Sequence, residues 1–337
     1  MNHELRVGII GTGVMGQDHA RILSRKVAGA RLTALADVNE AGARALAGEL
    51  GVGDVFTDST AMLDSGLVDA VIIASPDRLH AATTLECLER GLPVLCEKPL
   101  APTVEEAAQV AQAHAALDRP LLSVGFMRRF DPGYVALKGR IASGVDGALL
   151  MTHSVHRNVE AYPGSDSAAT ITNSAVHEID ILPWLTGEKI VEVLWAAGRT
   201  TSLLAERHDP QLLLMRDAGG VLHTVEVQVH AQYGYDVRCE AVCERASVEL
   251  AGAPTLVDGA PLVVSSGLQR ATAYPADWRP RFAEAYRAEL AAWVAASSAG
   301  TVPAEAATVE EALRTTRVAL ALVESMNRGG WVAVEGA

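Results

Sequence analysis

The hexapeptide Gly11-Thr12-Gly13-Val14-Met15-Gly16 follows an apolar run at residues 6–10 and opens a helical pattern at 14–25. Three glycines spaced G-x-G-x-x-G between a buried strand and a helix admit few folds. Gly11 permits a tight turn, Gly13 lets a pyrophosphate approach the backbone, and Gly16 lets the helix pack on the strand. The amino end of the helix attracts phosphate charge. A second apolar run, 30–37, ends on Asp37. A carboxylate there accepts hydrogen bonds from ribose hydroxyls and repels a 2′-phosphate, so NAD is expected over NADP. Val14, Met15 and Val38 flank these positions and join the candidate cofactor contacts.

The same rhythm continues. Residues 69–74, 93–96 and 121–124 read as strands, and 40–50, 79–90 and 103–117 as helices. Continuously apolar strands separated by amphipathic helices indicate a parallel sheet covered on both faces. The pattern changes after Gly125. Strands are expected at 148–156, 190–198, 212–216, 221–230, 235–242 and 247–250, with short connections such as Asp217-Ala218-Gly219-Gly220. One helix, about 173–185, interrupts them, and two more, 280–296 and 306–327, follow. A chain of 337 residues should form two domains. The expected class is α/β: a Rossmann domain with a doubly wound parallel sheet over 1–124, then an α+β domain with a large, mostly antiparallel open sheet over 125–337.

Composition narrows the function classes. A formal net charge of −13 opposes nucleic-acid binding, which favours a basic face. No apolar stretch reaches the roughly 18 residues needed to span a bilayer. Residues 1–4 lead straight into the first strand and leave no room for a signal peptide, so the cytoplasm is the expected compartment. Cys87, Cys96, Cys239 and Cys243 form no C-x-x-C pair. Cys239 and Cys243 would share a strand face, but they read as reduced core residues, and no metal is expected.

Val94-Leu95-Cys96 runs into Glu97-Lys98-Pro99 just before the helical pattern near Thr103. A strand ending on that triplet presents Lys98 at the carboxyl edge of the sheet, where ligands bind in open α/β sheets. A lysine there can stabilise a developing alkoxide. Ser75, Pro76 and His80 follow the strand at 69–74 and face the same edge. With Glu97 and Lys98 they complete the candidate cofactor contacts, although His80 also fits an ordinary surface role. The second chemical cluster is Asn173-Ser174-Ala175-Val176-His177-Glu178-Ile179-Asp180. A spacing of four puts Asn173 and His177 on one helix face. His177 is a residue type suited to general-base work near neutral pH. Asn173, near the expected helix start, is equally placed to cap it.

The glycine fingerprint, Cys96-Glu97-Lys98-Pro99 and His177-Glu178-Ile179-Asp180 together resemble the Gfo/Idh/MocA family of sugar and polyol oxidoreductases. Further stretches are similar to its myo-inositol 2-dehydrogenase subgroup: 125–131 with its Arg128-Arg129 pair, Gly133-Tyr134, His156-Arg157-Asn158, Tyr233-Gly234-Tyr235-Asp236, Asp277-Trp278-Arg279 and Arg281-Phe282. The resemblance implies NAD-dependent oxidation of a secondary ring hydroxyl of myo-inositol or a related cyclitol to a ketone. It implies that Lys98 binds the reacting oxygen and His177 takes the hydroxyl proton, so that the hydroxyl lies between the domains. Arg128, His156, Asn158 and Tyr235 would hydrogen-bond the ring hydroxyls. Tyr233 joins them because residues two apart on a strand share a face. A homotetramer built through the C-terminal sheets is also implied.

Asn173 departs from the resemblance, since those enzymes carry an aspartate four residues before the histidine. An amide can orient an imidazole but supplies no charge. Asp180 or Asp166 could supply it, or the substrate could differ. Alternatives are a related sugar or amino-cyclitol dehydrogenase, an NAD-dependent glycosidase, and a non-catalytic NAD-binding sensor.

Overall fold

The computed structural model describes residues 4–204, 207–250, 256–257, 260–261, 264–266, 268–271 and 273–336. The chain forms two compact units. One joins Met1–Phe130 to Ala285–Thr316, and the other joins Asp131–Glu284 to Arg317–Ala337. The chain thus returns to its first unit late, a feature that a single division at 124/125 does not contain.

The first unit is built on β1 (Leu5–Ile10), β2 (Ala30–Ala36), β3 (Asp54–Phe56), β4 (Ala70–Ile73), β5 (Val94–Glu97) and β6 (Leu122–Gly125). They lie in the order β3-β2-β1-β4-β5-β6, all parallel. Every residue of β4, β5 and β6 is buried, as strands covered on both faces require. The connecting helices are α1 (Val14–Lys26), α2 (Glu40–Leu50), α3 (Ser59–Asp64), α4 (His80–Glu89) and α5 (Val104–Ala115). Side-chain caps start three of them: Asn39 accepts from Gly42 N, Asp58 from Ala61 N and Thr103 from Glu106 N. The strand order reverses between β1 and β4, and a doubly wound sheet binds ligands outside the carboxyl ends at such a point. The sequence pattern did not announce β3 and α3. β3 has three residues after Gly51 and Gly53, too few to show a period.

The second unit begins with α6 (Pro132–Ala142), also unexpected, whose Gly133 and Gly139 blur its helical pattern. Asp131 caps it, accepting from Gly133 N and Tyr134 N, and Arg281 holds that carboxylate at 2.7 Å. Then follow β7 (Leu149–Arg157), α7 (Ser167–Ala169), a π turn at Thr170–Ala175, α8 (Val176–Thr186), β8 (Ile190–Ala196), β9 (Gln211–Asp217), β10 (Leu222–Gln228), β11 (Asp236–Cys243) and β12 (Ser247–Glu249). The short strands β13 (Leu256–Val257), β14 (Ala260–Pro261), β15 (Val264–Ser266) and β16 (Gln269–Ala271) form two small hairpins. Helices α9 (Trp278–Ser298) and α10 (Val309–Arg328) precede β17 (Val332–Ala333).

The large sheet runs β12-β11-β7-β10-β9-β8-β17. Only β7 and β10 pair in parallel among its described neighbours. Its strands alternate: Thr152, Ser154 and His156 are buried on β7, and His223, Val225 and Val227 on β10. That period of two marks a sheet with one covered face. Cys239 and Cys243 are buried residues of β11 and are in no disulfide. Among the described residues, no helix is long and apolar enough to cross a membrane.

The helix expected at 173–185 is corrected. Helical structure begins at Ser167, and Asp166 caps it by accepting from Ala169 N. Asn173 therefore sits inside the π turn and not at the helix start. Single π turns inside helices are frequent at functional sites.

Candidate active site

Each glycine of the fingerprint has a distinct structural reason. Gly11 has φ +92°, and a Cβ there would lie 2.5 Å from the Ala74 backbone. A Cβ on Gly16 would lie 1.9 Å from the Gly11 carbonyl oxygen. A Cβ on Gly13 would meet nothing within 4 Å, so its absence leaves an open cradle at the start of α1. That helix end has no side-chain cap and no acidic residue in its first turn, which suits it to an anion. Ser75 Oγ is buried without a hydrogen-bond partner in the protein. An open cradle, an uncapped helix end and this hydroxyl fit a dinucleotide.

Asp37 ends the second strand run as an anion. Its Oδ2 accepts from Thr12 N at 2.6 Å and Thr12 Oγ1 at 2.9 Å, and its Oδ1 from Asn39 N at 2.8 Å. Burial pushes its pKa up, but these hydrogen bonds outweigh it and hold it below the usual range. Val14 and Val38 are exposed apolar side chains, Val38 at 90%. Such exposure suits an aromatic ligand face.

Lys98 follows β5 directly, as the sequence predicted. Burial lowers its pKa, Glu97 and Asp77 pull it back up, and Arg128 adds to the lowering. Arg128 is fully buried in the short turn Met127–Phe130 after β6. Glu97 and His80 are both drawn inward. Glu97 Oε1 meets His19 Nε2 at 2.7 Å, and its Oε2 accepts from Lys98 N at 3.2 Å. His80 Nδ1 donates to the Pro99 carbonyl at 2.7 Å and Nε2 to the Ser75 carbonyl at 2.8 Å. These two residues brace the loops that carry Ser75, Pro76 and Lys98.

In the second unit, His156, His177 and Tyr235 come together. The His156 ring lies 6.2 Å from that of His177 and 6.3 Å from Tyr235, centroid to centroid. His156 Nδ1 is 2.8 Å from Glu178 Oε2, and both residues are buried. Asn158 joins them through the π turn, its Nδ2 donating to Ser174 Oγ at 3.5 Å.

Tyr233 does not share the face of Tyr235, contrary to the period-two expectation. Gly234 has φ +142° and breaks the alternation before β11 begins. A Cβ there would lie 2.2 Å from Tyr274 Cβ. Tyr235 is buried, whereas Tyr233 is 46% exposed and stacks edge-on to Tyr274. Its hydroxyl donates to Asp236 Oδ2 and accepts from Arg157 Nη1, each at 2.7 Å. Sequence reasoning missed Glu178 and His19. Glu178 adjoins His177, but the search followed the face shared by 173 and 177. His19 lies in α1 where nothing local distinguishes it.

A parallel sheet in this order, with this glycine cradle and an anionic Asp37, defines a Rossmann domain of the NAD-binding kind. Residues 5–126 match the model of the Gfo/Idh/MocA oxidoreductase family, NAD-binding Rossmann fold, and residues 134–249 match the Gfo/Idh/MocA C-terminal domain. The chain belongs to that family. It is 46% identical over 331 residues to inositol 2-dehydrogenase 2 of Paenarthrobacter aurescens strain TC1, covering 97% of each chain. Its fold is similar to the crystal structure of myo-inositol dehydrogenase from Lactobacillus casei in complex with NAD(H) and myo-inositol. The TM-score is 0.93 and the identity 29%, over 99% of this chain and 98% of that one. The scyllo-inositol dehydrogenase of the same organism, with bound NAD(H) and scyllo-inositol, gives a TM-score of 0.89 and 26% identity. That match covers 98% of this chain and 99% of that one.

Proposed function

We propose that this protein oxidises one secondary ring hydroxyl of myo-inositol, or of a close cyclitol, to the ketone with NAD. The observation that carries this is likeness over the whole chain, in sequence and fold, to inositol dehydrogenases. Gly11, Gly13, Gly16, Asp37 and Ser75 would hold NAD, with Val14, Met15, Val38 and Pro76 along it. NAD, when bound, takes up the hydride. Lys98 hydrogen-bonds the reacting oxygen, and its lowered pKa eases the passage of a proton through it. His177 receives the hydroxyl proton. Asn173 orients, and Arg128, His156, Asn158 and Tyr235 hold the remaining hydroxyls.

The likeness to a scyllo-inositol dehydrogenase supports a second reading, in which the stereoisomer differs. Assembly as a homotetramer and residence in the cytoplasm belong to the same proposal.

The test is NADH formation from inositol isomers, inosoamines and aldoses, with wild type and Lys98→Ala. Turnover on an inositol is expected, with kcat falling at least ~10²-fold in the variant while NAD still binds. Turnover on aldoses alone, or undiminished turnover in Lys98→Ala, overturns the proposal.

A further inference from the structure

Tyr233 lies off the face of Tyr235, yet its hydroxyl spans the residues around it. That hydroxyl donates to Asp236 Oδ2 and accepts from Arg157 Nη1, each at 2.7 Å. The first bond joins residues three apart and closes a loop that contains Gly234 and Tyr235. Gly234, with φ +142°, supplies the turn. The second bond ties this loop to Arg157, the last residue of β7, which stands opposite Asp236 in the register of β7 and β11. Glu226 on β10 takes the other side of the Arg157 fork, its Oε1 2.8 Å from Nε. One guanidinium therefore links β7, β10 and the lead-in to β11.

We infer that Tyr233 is a positioning residue for the oxidation proposed above, acting through Tyr235. Its acceptor is firmly held. Asp236 is buried, and its Oδ2 lies 3.1 Å from Arg238 Nη2 and 3.9 Å from Arg157 Nη1. A hydroxyl that donates to a charged carboxylate makes a strong hydrogen bond. Burial pushes the Tyr233 pKa up, Arg157 pulls it down and Asp236 raises it. The net is upward, so the hydroxyl keeps the proton it donates. The Tyr235 backbone is pinned as well, its N–H donating to the Pro275 carbonyl at 2.8 Å. The Tyr235 ring packs edge-on to His156 at 6.3 Å and to Phe282 at 6.4 Å, centroid to centroid. A side chain held in this way meets a substrate hydroxyl without first losing its own freedom.

The Tyr233 ring makes contacts of its own. It stacks edge-on to Tyr274 at 4.9 Å, and the Arg157 guanidinium lies 5.8 Å from its centroid. A phenylalanine keeps both, so the hydroxyl can be removed alone.

The kinetic part of this role rests on the inositol reading, and the motion of the Tyr235 ring does not. The test uses the full-length protein with NAD and Tyr233→Phe. KM for the inositol turned over should rise about threefold to tenfold, the scale of one hydrogen bond. Lost ground-state binding leaves kcat alone, so kcat and the Kd of NAD should stay within about twofold. In a Tyr235→Phe background the same change should add less than about twofold, because coupled residues are not additive. Effects that multiply, or an unchanged KM beside a lowered melting temperature, overturn the inference and leave Tyr233 a structural residue. Where Tyr233→Phe does not fold, Asp236→Asn still accepts from the hydroxyl and Asp236→Ala does not. KM should then rise in the alanine variant alone, and equal KM values in the two overturn the inference. NMR of carbon-13-labelled tyrosine, with Tyr235 assigned by Tyr235→Phe, reads the positioning without turnover. The Tyr235 ring should flip faster in Tyr233→Phe than in wild type, and an unchanged rate overturns the inference. A faster flip in a protein that oxidises no inositol would sink the substrate reading alone.

Discussion

Glu97 and His19 form a buried pair in the first unit, with 2.7 Å between Oε1 and Nε2. The other carboxylate oxygen accepts from the backbone of Lys98. A remote helix thus fixes the residue that precedes Lys98. Burial pushes the Glu97 pKa up, but His19, Lys98 and His80 outweigh it and hold it below its ordinary value. That depression stabilises the fold above the usual carboxylate range, and the stability is lost as pH falls through the folded value. His19→Leu removes the side-chain partner of a buried carboxylate and should cost about 3 kcal/mol. Denaturant melts should show the full deficit near neutral pH and a shrinking one as pH falls and Glu97 takes up a proton.

His80 spans two backbone carbonyls, and a neutral imidazole has only one N–H to donate. Burial opposes the charge, but the neighbouring Cys96 sulfur and the Pro99 and Ser75 carbonyls raise the pKa to about 10. A raised pKa gives stability that is fully present below the unfolded value, about 6.5. It is lost as pH rises through about 10. His80→Phe should remove about 2 kcal/mol at neutral pH and flatten the alkaline decline. Melts at neutral and strongly alkaline pH check this.

The fingerprint glycines should separate folding from binding. Gly16→Ala drives a Cβ onto the Gly11 carbonyl oxygen and should destabilise by about 2 kcal/mol. Gly13→Ala meets no protein atom, so its stability should stay within ~0.5 kcal/mol while NAD affinity drops about tenfold or more. Thermal melts beside titration calorimetry with NAD distinguish the two.

Asp37→Ser removes the charge proposed above to meet the ribose while keeping a hydroxyl. NAD should bind about tenfold more weakly, and the preference over NADP should shrink by a similar factor. Paired kcat/KM values for the two cofactors measure it.

Most of the first unit was legible because β1, β4, β5 and β6 are continuously apolar and helices separate them. Lys98 could be placed from its strand alone. The π turn at Asn173 was not legible, because its residues carry no signal that separates i→i+5 from i→i+4 bonding. Tyr233 was misplaced because alternation holds only inside a strand, and Gly234 lies before one. The Glu178–His156 and His19–Glu97 pairs join residues 22 and 78 positions apart, a separation that no local pattern encodes.

The late return of Ala285–Thr316 to the first unit bears on how this protein is made. That segment brings Tyr286 against His19 at 5.7 Å, Glu311 to Arg129 at 3.0 Å, and Ala307 to the end of β6. Domains tend to fold in order as they leave the ribosome. Here the cofactor unit stays incomplete until translation has passed Thr316. The nascent Rossmann sheet waits through synthesis of the whole second sheet, and a gene fragment ending at Phe130 encodes a unit without its closing segment.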